Sequence, residues 1–314
     1  MKLTVALGLW QDRPADDALR TARAADELGY PELWVGEMAT YDAFALATAI
    51  GLGTTRISLT VGPLAVAVRD PMMIAMGAAS VADLTGRRVD VAIGTSSPLV
   101  VEAWHGRPHA GSTAALAAAL AALRPLLAGE KSTSDRTTHP RSDGYRLRLP
   151  APRSTVSVAA FGPAAVRVAA NADRMVLNLI TPASAARLIG DLRALSPTSR
   201  VTAWVTAAVD PDTAAVEQIR RGVVGYLAAP GYGEMFAEAG FSDIVEYART
   251  RPHPRELLAA IPDKLLESVA LLGDLPTIRS RLAEYAAAGV DEVALVPAST
   301  ASDPGGAKTL TALA

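Results

Sequence analysis

Residues 3–9 read LTVALGL, residues 15–28 read ADDALRTARAADEL, Gly29 follows at once, and residues 32–35 read ELWV. The first piece is a short apolar run of strand type. The second has helical composition, with Pro14 ahead of it, acidic residues in its first turn and a glycine as its stop. The third is another unbroken apolar run. This strand–helix–strand unit recurs along the chain. Strand runs follow at Ile57–Gly62, Val89–Ile93, Val156–Ala160, Met175–Leu179, Val201–Val209 and Glu292–Val296. Between them, helical patterns fall at Asp42–Leu52, Pro71–Leu84, Ser112–Leu127, Pro163–Ala170, Pro182–Leu195, Pro211–Arg221 and Leu275–Ala288.

The strand runs are apolar throughout rather than alternating, which is how strands buried on both faces read. Eight βα alternations in 314 residues predict an α/β fold, a (β/α)8 TIM barrel whose site lies at the carboxyl ends of its strands. A doubly wound open sheet is the other arrangement this pattern allows. Two stretches exceed the minimal repeat and predict insertions after strands 4 and 7. Glu130–Arg153 is polar and rich in Pro, Ser and Thr, and its Tyr-Arg-Leu-Arg-Leu run reads as a short edge strand within a long loop. Gly222–Gly273 reads as several short helices, broken at Pro230-Gly231-Tyr232-Gly233. Residues 1–314 are read as one domain.

Composition narrows the function. Thirty basic and 32 acidic residues give a net charge of −2, so nothing in the charge balance points to nucleic acid or an anionic membrane. The absence of cysteine excludes disulfides, thiolate metal sites and cysteine nucleophiles. The four histidines (His105, His109, His139 and His253) include no pair at metal-ligand spacing, and no metal is expected. The apolar amino-terminal run is too short for a signal peptide, and no segment reaches the roughly 18 residues of a membrane span. A cytoplasmic enzyme acting on a small molecule is the expectation. Gly-x-Gly-x-x-Gly, Gly-x-x-x-x-Gly-Lys-Ser and Gly-x-Ser-x-Gly are all missing, which argues against a Rossmann dinucleotide site, a P-loop and an α/β-hydrolase.

In a barrel the chemistry follows the strands. Glu37 and Glu102 stand just past the second and fourth runs, where a partly desolvated carboxyl suits acid–base work, although such carboxylates also serve simply as partners for arginine. Gly94-Thr95-Ser96-Ser97 and Phe161-Gly162-Pro163 are small, strand-to-helix turns able to approach an anion, or ordinary βα turns. Trp10 and Tyr41 are placed to wall an aromatic ligand, and His105 either donates a proton there or packs structurally.

Together these stretches resemble the bacterial luciferase-like superfamily, in its actinobacterial branch of F420-dependent oxidoreductases. The resemblance rests on Leu7-Gly8-Leu9-Trp10, on Ala24-Ala25-Asp26-Glu27-Leu28-Gly29-Tyr30 and on Glu32-Leu33-Trp34-Val35-Gly36-Glu37. It continues through Leu59-Thr60-Val61-Gly62-Pro63 to Arg69-Asp70-Pro71, and through Leu84-Thr85-Gly86-Arg87-Arg88 to Gly94 and Glu102. Phe161-Gly162-Pro163, Ala172-Asp173-Arg174, Leu177-Asn178 and the stretch from Ala286 to Val293 complete it. It implies a homodimeric TIM barrel holding F420, or alternatively FMN, at the strand ends. It also implies a cis bond at Gly62-Pro63, with Leu64 beside it, propping the ring. Contacts to ring edge and phosphate would come from Gly94–Ser97 and Phe161-Gly162-Pro163, with Asn178 nearby. Many deazaflavin-dependent relatives carry Asp-His after the second strand, whereas this chain has Glu37-Met38, and Met38 handles no proton. The implied activity is hydride transfer between F420 and an electron-poor substrate. An FMN-dependent monooxygenase and a non-catalytic flavin-binding relative are the alternatives.

Overall fold

A computed structural model describes residues 1–10, 12–37, 39–132 and 144–314. The expected alternation is present. Strand β1 (Lys2–Ala6) leads to helix α1 (Asp17–Glu27), β2 (Glu32–Val35) to α2 (Ala43–Gly53), and β3 (Ser58–Ala65) to α3 (Pro71–Thr85). Strand β4 (Val89–Gly94) is followed by a π-helical turn at Leu99–Trp104 and then α4 (Ser112–Leu127). Next come β5 (Val156–Ala159) with α5 (Pro163–Ala169), β6 (Arg174–Asn178) with α6 (Pro182–Leu195), and β7 (Arg200–Val209) with α7 (Thr213–Val224). The stretch after α7 carries α8 (Tyr232–Phe236), a second π-helical turn (Ala237–Phe241), α9 (Ser242–Arg249), α10 (Pro254–Ala260) and α11 (Asp263–Val269). A short strand β8 (Leu271–Gly273), α12 (Leu275–Ala287), β9 (Glu292–Pro297) and α13 (Ala307–Leu313) complete the chain.

The sheet closes. Strands β1 to β7 pair in chain order, β7 pairs with β9 and β9 with β1, all in parallel, so the eight expected strands form a ring and the open sheet is excluded. Strand β8 is an addition, joined to the outer end of β7 through Ala207–Leu271 and its neighbours. Tyr145–Leu149 forms no strand, contrary to expectation: its backbone is irregular, with Ser132 N–H donating to the Tyr145 carbonyl and Arg146 Nε to that of Gly129. The rest of that loop, 133–143, lies outside the described residues. Among the described residues no helix is long and apolar enough to cross a membrane.

One core fills the space between strands and helices, and a second, smaller one fills the barrel. At the amino-terminal end of the barrel the filling is polar. The Arg174 guanidinium lies between Glu32 (2.6 Å) and Glu292 (3.0 Å), and the hydroxyls of Thr4 and Thr202 donate to Glu292 at 3.2 Å each. Burial pushes the Glu32 carboxyl up, but Arg174, the Thr60 hydroxyl and Lys2 outweigh it and hold the carboxyl below its ordinary value. Above this layer sits Trp34, its ring centroid 4.3 Å from the Arg174 guanidinium, a cation–π contact. Trp204 meets Trp34 edge to face at 5.7 Å.

Carboxylates at the ends of the units staple one to the next. Asp26, just inside the end of α1, accepts from the N–H groups of Thr55, Arg56 and Ile57 and from the Thr55 hydroxyl, all within 2.7–2.9 Å. Asp173 accepts from Val156 N–H and Asp291 from Val201 N–H, each at 2.8 Å, and Asp90 from Thr155 N–H at 2.7 Å. Burial raises the Asp26 carboxyl, but the four donors prevail and hold it at about 2. Its stabilisation is therefore complete above the unfolded carboxylate range and drains away as pH falls through about 2. Asp26→Ala leaves three strand-entry amides without their acceptor. A loss on the order of 3 kcal/mol is expected in a urea melt at neutral pH, and a loss under about 0.5 kcal/mol would show that water replaces the carboxylate.

Candidate active site at the barrel mouth

The inward positions that end four successive strands are glycines: Gly8 beyond β1, Gly36 beyond β2, Gly62 in β3 and Gly94 closing β4. They pave one side of the mouth with backbone. A methyl group on Gly36 would lie 3.3 Å from the Trp204 ring, and one on Gly94 would lie 3.3 Å from the Ala159 methyl and 3.7 Å from Pro63. Trp204 thus forms the floor. Among the described residues its indole N–H and that of Trp34 are buried without a hydrogen-bond partner, a costly arrangement for polar groups in a dry interior.

The Gly62-Pro63 bond is cis, as the resemblance implies. Gly62 has φ +126°, and any side chain there would drive its Cβ to 2.1 Å from the Ala92 carbonyl oxygen. The β3–β4 pairing slips between Val61 and Leu64, so β3 turns at the mouth's edge. Leu64 does not reach the cavity with its side chain, which is fully buried in the outer core. A Leu beyond the slip faces the helices, so only its backbone is free for a ligand.

Trp10 folds back over Gly8, and its Nε1–H donates to the Pro297 carbonyl at 3.3 Å. A narrow cleft beside it is bordered by Tyr41, Gly36 and Ser299. Trp10 and Tyr41 therefore share one cleft, whereas Met38 lies outside the described residues.

The two carboxylates face elsewhere. Glu37 accepts from Arg69 Nε at 2.7 Å, from a second Arg69 nitrogen and from Ala43 N–H at 3.1 Å. Arg69 also binds Asp42, whose carboxylate caps α2 through Phe44 and Ala45 N–H. This latch joins the loops after β2 and β3, and although Arg69 was part of the resemblance, its pairing with Glu37 escaped the sequence reading because the two lie 32 residues apart. Hydrogen bonds and charge from Glu37 first, and then from Asp42, outweigh burial and hold the Arg69 guanidinium above its ordinary value.

Glu102 is exposed on the π-helical turn after β4 and accepts from His109 N–H at 3.2 Å. The His109 ring, given no role from the sequence, bridges back to the Ser96 carbonyl at 3.1 Å. Ser96 takes a left-handed φ of +58°, and Ser97 Oγ accepts from Val100 N–H at 3.4 Å. The Gly94–Ser97 loop is thus fixed by its own continuation. His105 is exposed and closes the turn with its backbone, donating N–H to the Val100 carbonyl. Neither Glu102 nor His105 joins the buried part of the mouth.

On the opposite side, Phe161 past β5 stacks on Tyr232 of α8 at 4.1 Å, and Tyr232 meets Tyr226 at 4.8 Å. Asn178, closing β6, donates from Nδ2 to the Tyr226 hydroxyl at 3.4 Å. Gly162 and Pro163 begin α5 directly behind Phe161. Burial pushes the phenols of Tyr226 and Tyr232 above their ordinary value. Both tyrosines were missed because no spacing within the stretch after α7 singles out either residue. Among the described residues no cluster of three His, Cys, Asp or Glu able to hold a metal occurs.

Parallel (β/α)8 barrels bind their ligands where this mouth lies, beyond the carboxyl ends of the strands, and the chain is of that class. The sequence profile of the luciferase-like monooxygenase family matches residues 3–292, and the chain belongs to that family. A Mycobacterium tuberculosis protein provisionally named as a coenzyme F420-dependent oxidoreductase is 25% identical over 328 positions, covering 92% of this chain and 93% of the relative. An F420-dependent secondary alcohol dehydrogenase, solved with an F420–acetone adduct, matches the fold with a TM-score of 0.80 at 16% identity, covering 100% of this chain and 99% of that one. The coenzyme F420-dependent tetrahydromethanopterin reductase of Methanopyrus kandleri gives 0.78 at 16% identity, covering 100% and 97%. The oxygenating constituent of 3,6-diketocamphane monooxygenase from Pseudomonas putida, solved with FMN, gives 0.70 at 15% identity, covering 100% and 97%.

Proposed function

We propose that the chain is an F420-dependent oxidoreductase, a cytoplasmic homodimer that transfers hydride between the deazaflavin and an electron-poor small molecule. The observation that carries this reading is the glycine-paved mouth above Trp204. Side chains at Gly36 and Gly94 would intrude on the space a flat heterocycle needs, and the unpartnered Trp204 N–H suits a polar ring edge. The residues therefore fit such a group. The F420-dependent relatives favour F420, while the FMN-bound neighbour supports the second reading, an FMN-dependent monooxygenase.

In this reading the backbone at Gly62, Pro63 and Leu64 supports the ring, Gly94, Thr95, Ser96 and Ser97 hold its edge, and Phe161, Gly162, Pro163 and Asn178 line the far side. When bound, the reduced deazaflavin supplies the hydride. The protein orients the reacting carbon and keeps water out, which is where most of its contribution lies. Trp10 and Tyr41 shape the substrate side. Glu37 and Glu102 act as positioning groups, through Arg69 and through the His109 turn. Glu102→Gln should accordingly leave turnover within about threefold of wild type, the range of a surface substitution.

The test is oxidation of reduced F420 by quinones and α,β-unsaturated carbonyls under strict anaerobiosis. Turnover supports the proposal. Turnover that requires both FMN and oxygen would replace it with the monooxygenase. A loss of activity in Glu102→Gln beyond a hundredfold would return that carboxyl to an acid role.

A further inference from the structure

The tyrosines opposite the glycine pavement take no part in holding the ring or in the Glu37–Arg69 latch. The Tyr226 hydroxyl accepts from Asn178, and the Tyr232 hydroxyl lies beside the same amide. Asn178 therefore occupies an acceptor lone pair and leaves the phenolic hydrogens unspent, and among the described residues neither hydroxyl has an acceptor of its own. Both tyrosines are half-buried, and a hydroxyl so placed against packed side chains ordinarily finds one. The rings themselves are fixed by the Phe161–Tyr232 stack and the edge contact between the tyrosines. Gly231, at φ +84°, lets that turn press onto Phe161, because a Cβ there would lie 2.9 Å from its ring. Asn178 is paired across the sheet with Trp204, so the hydroxyls stand at the rim of the floor already described. The carboxylates are engaged elsewhere, Glu37 by Arg69 and Glu102 at an exposed turn.

We propose that Tyr226 and Tyr232, set by Asn178, form the oxygen-binding site of the mouth: two hydroxyl donors for the carbonyl oxygen of a ketone, aldehyde or enone substrate, with Tyr226 the proton donor. This rests on the hydride-transfer reading and names its substrate class. Hydride supplied by the reduced deazaflavin, whose own C–H bond would break as it is oxidised, would form the new C–H bond while the carbonyl π pair moves onto oxygen. The O–H bond of Tyr226 breaks, the proton joins that oxygen to give the alcohol, and the tyrosinate recovers a proton from water. For an enone the pair moves through the conjugated system to the same oxygen, giving an enol. Prearranged donors at a developing oxyanion cost no reorganisation during the reaction. Burial keeps both phenols protonated across the physiological range.

The experiment uses 4-nitrophenolate as an oxyanion probe, read by its visible absorbance, on wild type, Tyr226→Phe, Tyr232→Phe and the double variant. Phenylalanine keeps the stacked rings, so folding is preserved, and an unchanged thermal melt verifies it. Wild type should bind the phenolate in preference to the phenol. Each single variant should lose roughly tenfold in phenolate affinity, the worth of one good donor, and Tyr226→Phe should lower kcat for cyclohex-2-enone reduction about a hundredfold. Phenolate affinity equal in all four proteins, or no phenolate binding by wild type, would overturn the proposal and leave the tyrosines as packing. A parallel F420 titration separates the two readings: failure to bind F420 with phenolate binding intact defeats the hydride reading alone.

Discussion

Arg174→Met should cost about 3–5 kcal/mol at neutral pH, because it strips two buried carboxylates of their cation. The guanidinium binds Glu32 at 2.6 Å and Glu292 at 3.0 Å, and all three side chains are almost wholly buried. Methionine fills the volume without the charge, and Lys2, half exposed at the barrel's end, remains 3.3–3.5 Å from the two carboxylates. The pH dependence should also change sign. In the wild type the Glu32 carboxyl sits below its ordinary value, so its stabilisation is present above the unfolded carboxylate range and is lost as pH falls through the lower folded value. With the cation gone, burial dominates and raises the folded value. Stability then grows on going from about pH 7 to about pH 5, where the wild type is flat. Urea melts at those two pH values measure both effects. A loss under about 1 kcal/mol with no pH trend would show that the carboxylates are hydrated in the barrel.

Gly62→Ala should be the most damaging single methyl group in the chain. It would place Cβ 2.1 Å from the Ala92 carbonyl oxygen, on a backbone at φ +126° that side chains rarely adopt. Backbone, not a flexible side chain, is what the methyl group meets, so β3 and β4 must part. A loss above about 4 kcal/mol or failure to fold is expected, read by thermal melt. Gly94→Ala is the graded companion. Its methyl group would meet Ala159 at 3.3 Å, which a small shift accommodates, so the protein should fold while cofactor affinity falls by about tenfold. Normal affinity in a folded Gly94→Ala protein would mean the ring does not lie over that glycine.

The fold was legible because burial on both faces keeps the barrel strands mainly apolar, with no polar alternation, and because Gly29, Gly86 and Gly289 end helices where the chain turns back to a strand. Strand β8 was not, since three residues following a helix carry no pattern of their own. Several stretches behind the family resemblance prove to be structural: Asp26, Asp173 and Asp291 bind strand amides far from the mouth. Their signal marks a fold, not a reaction. The polar layer was legible in principle, because Glu32, Arg174 and Glu292 each open an otherwise apolar strand. The glycines that pave the mouth were visible one by one, yet only ring closure puts Gly36, Gly62 and Gly94 side by side. The Glu37–Arg69 latch and the Tyr226–Asn178 contact join residues 32 and 48 positions apart, and no local spacing encodes such pairs.

The central claim, that the mouth above Trp204 receives a deazaflavin, is most directly tested by titrating the protein with F420 and with FMN while following tryptophan fluorescence. Saturable quenching by F420, at least about tenfold tighter than by FMN and largely abolished in Trp204→Phe, is the predicted result. Tighter binding of FMN, or quenching by F420 that survives in Trp204→Phe, would contradict it.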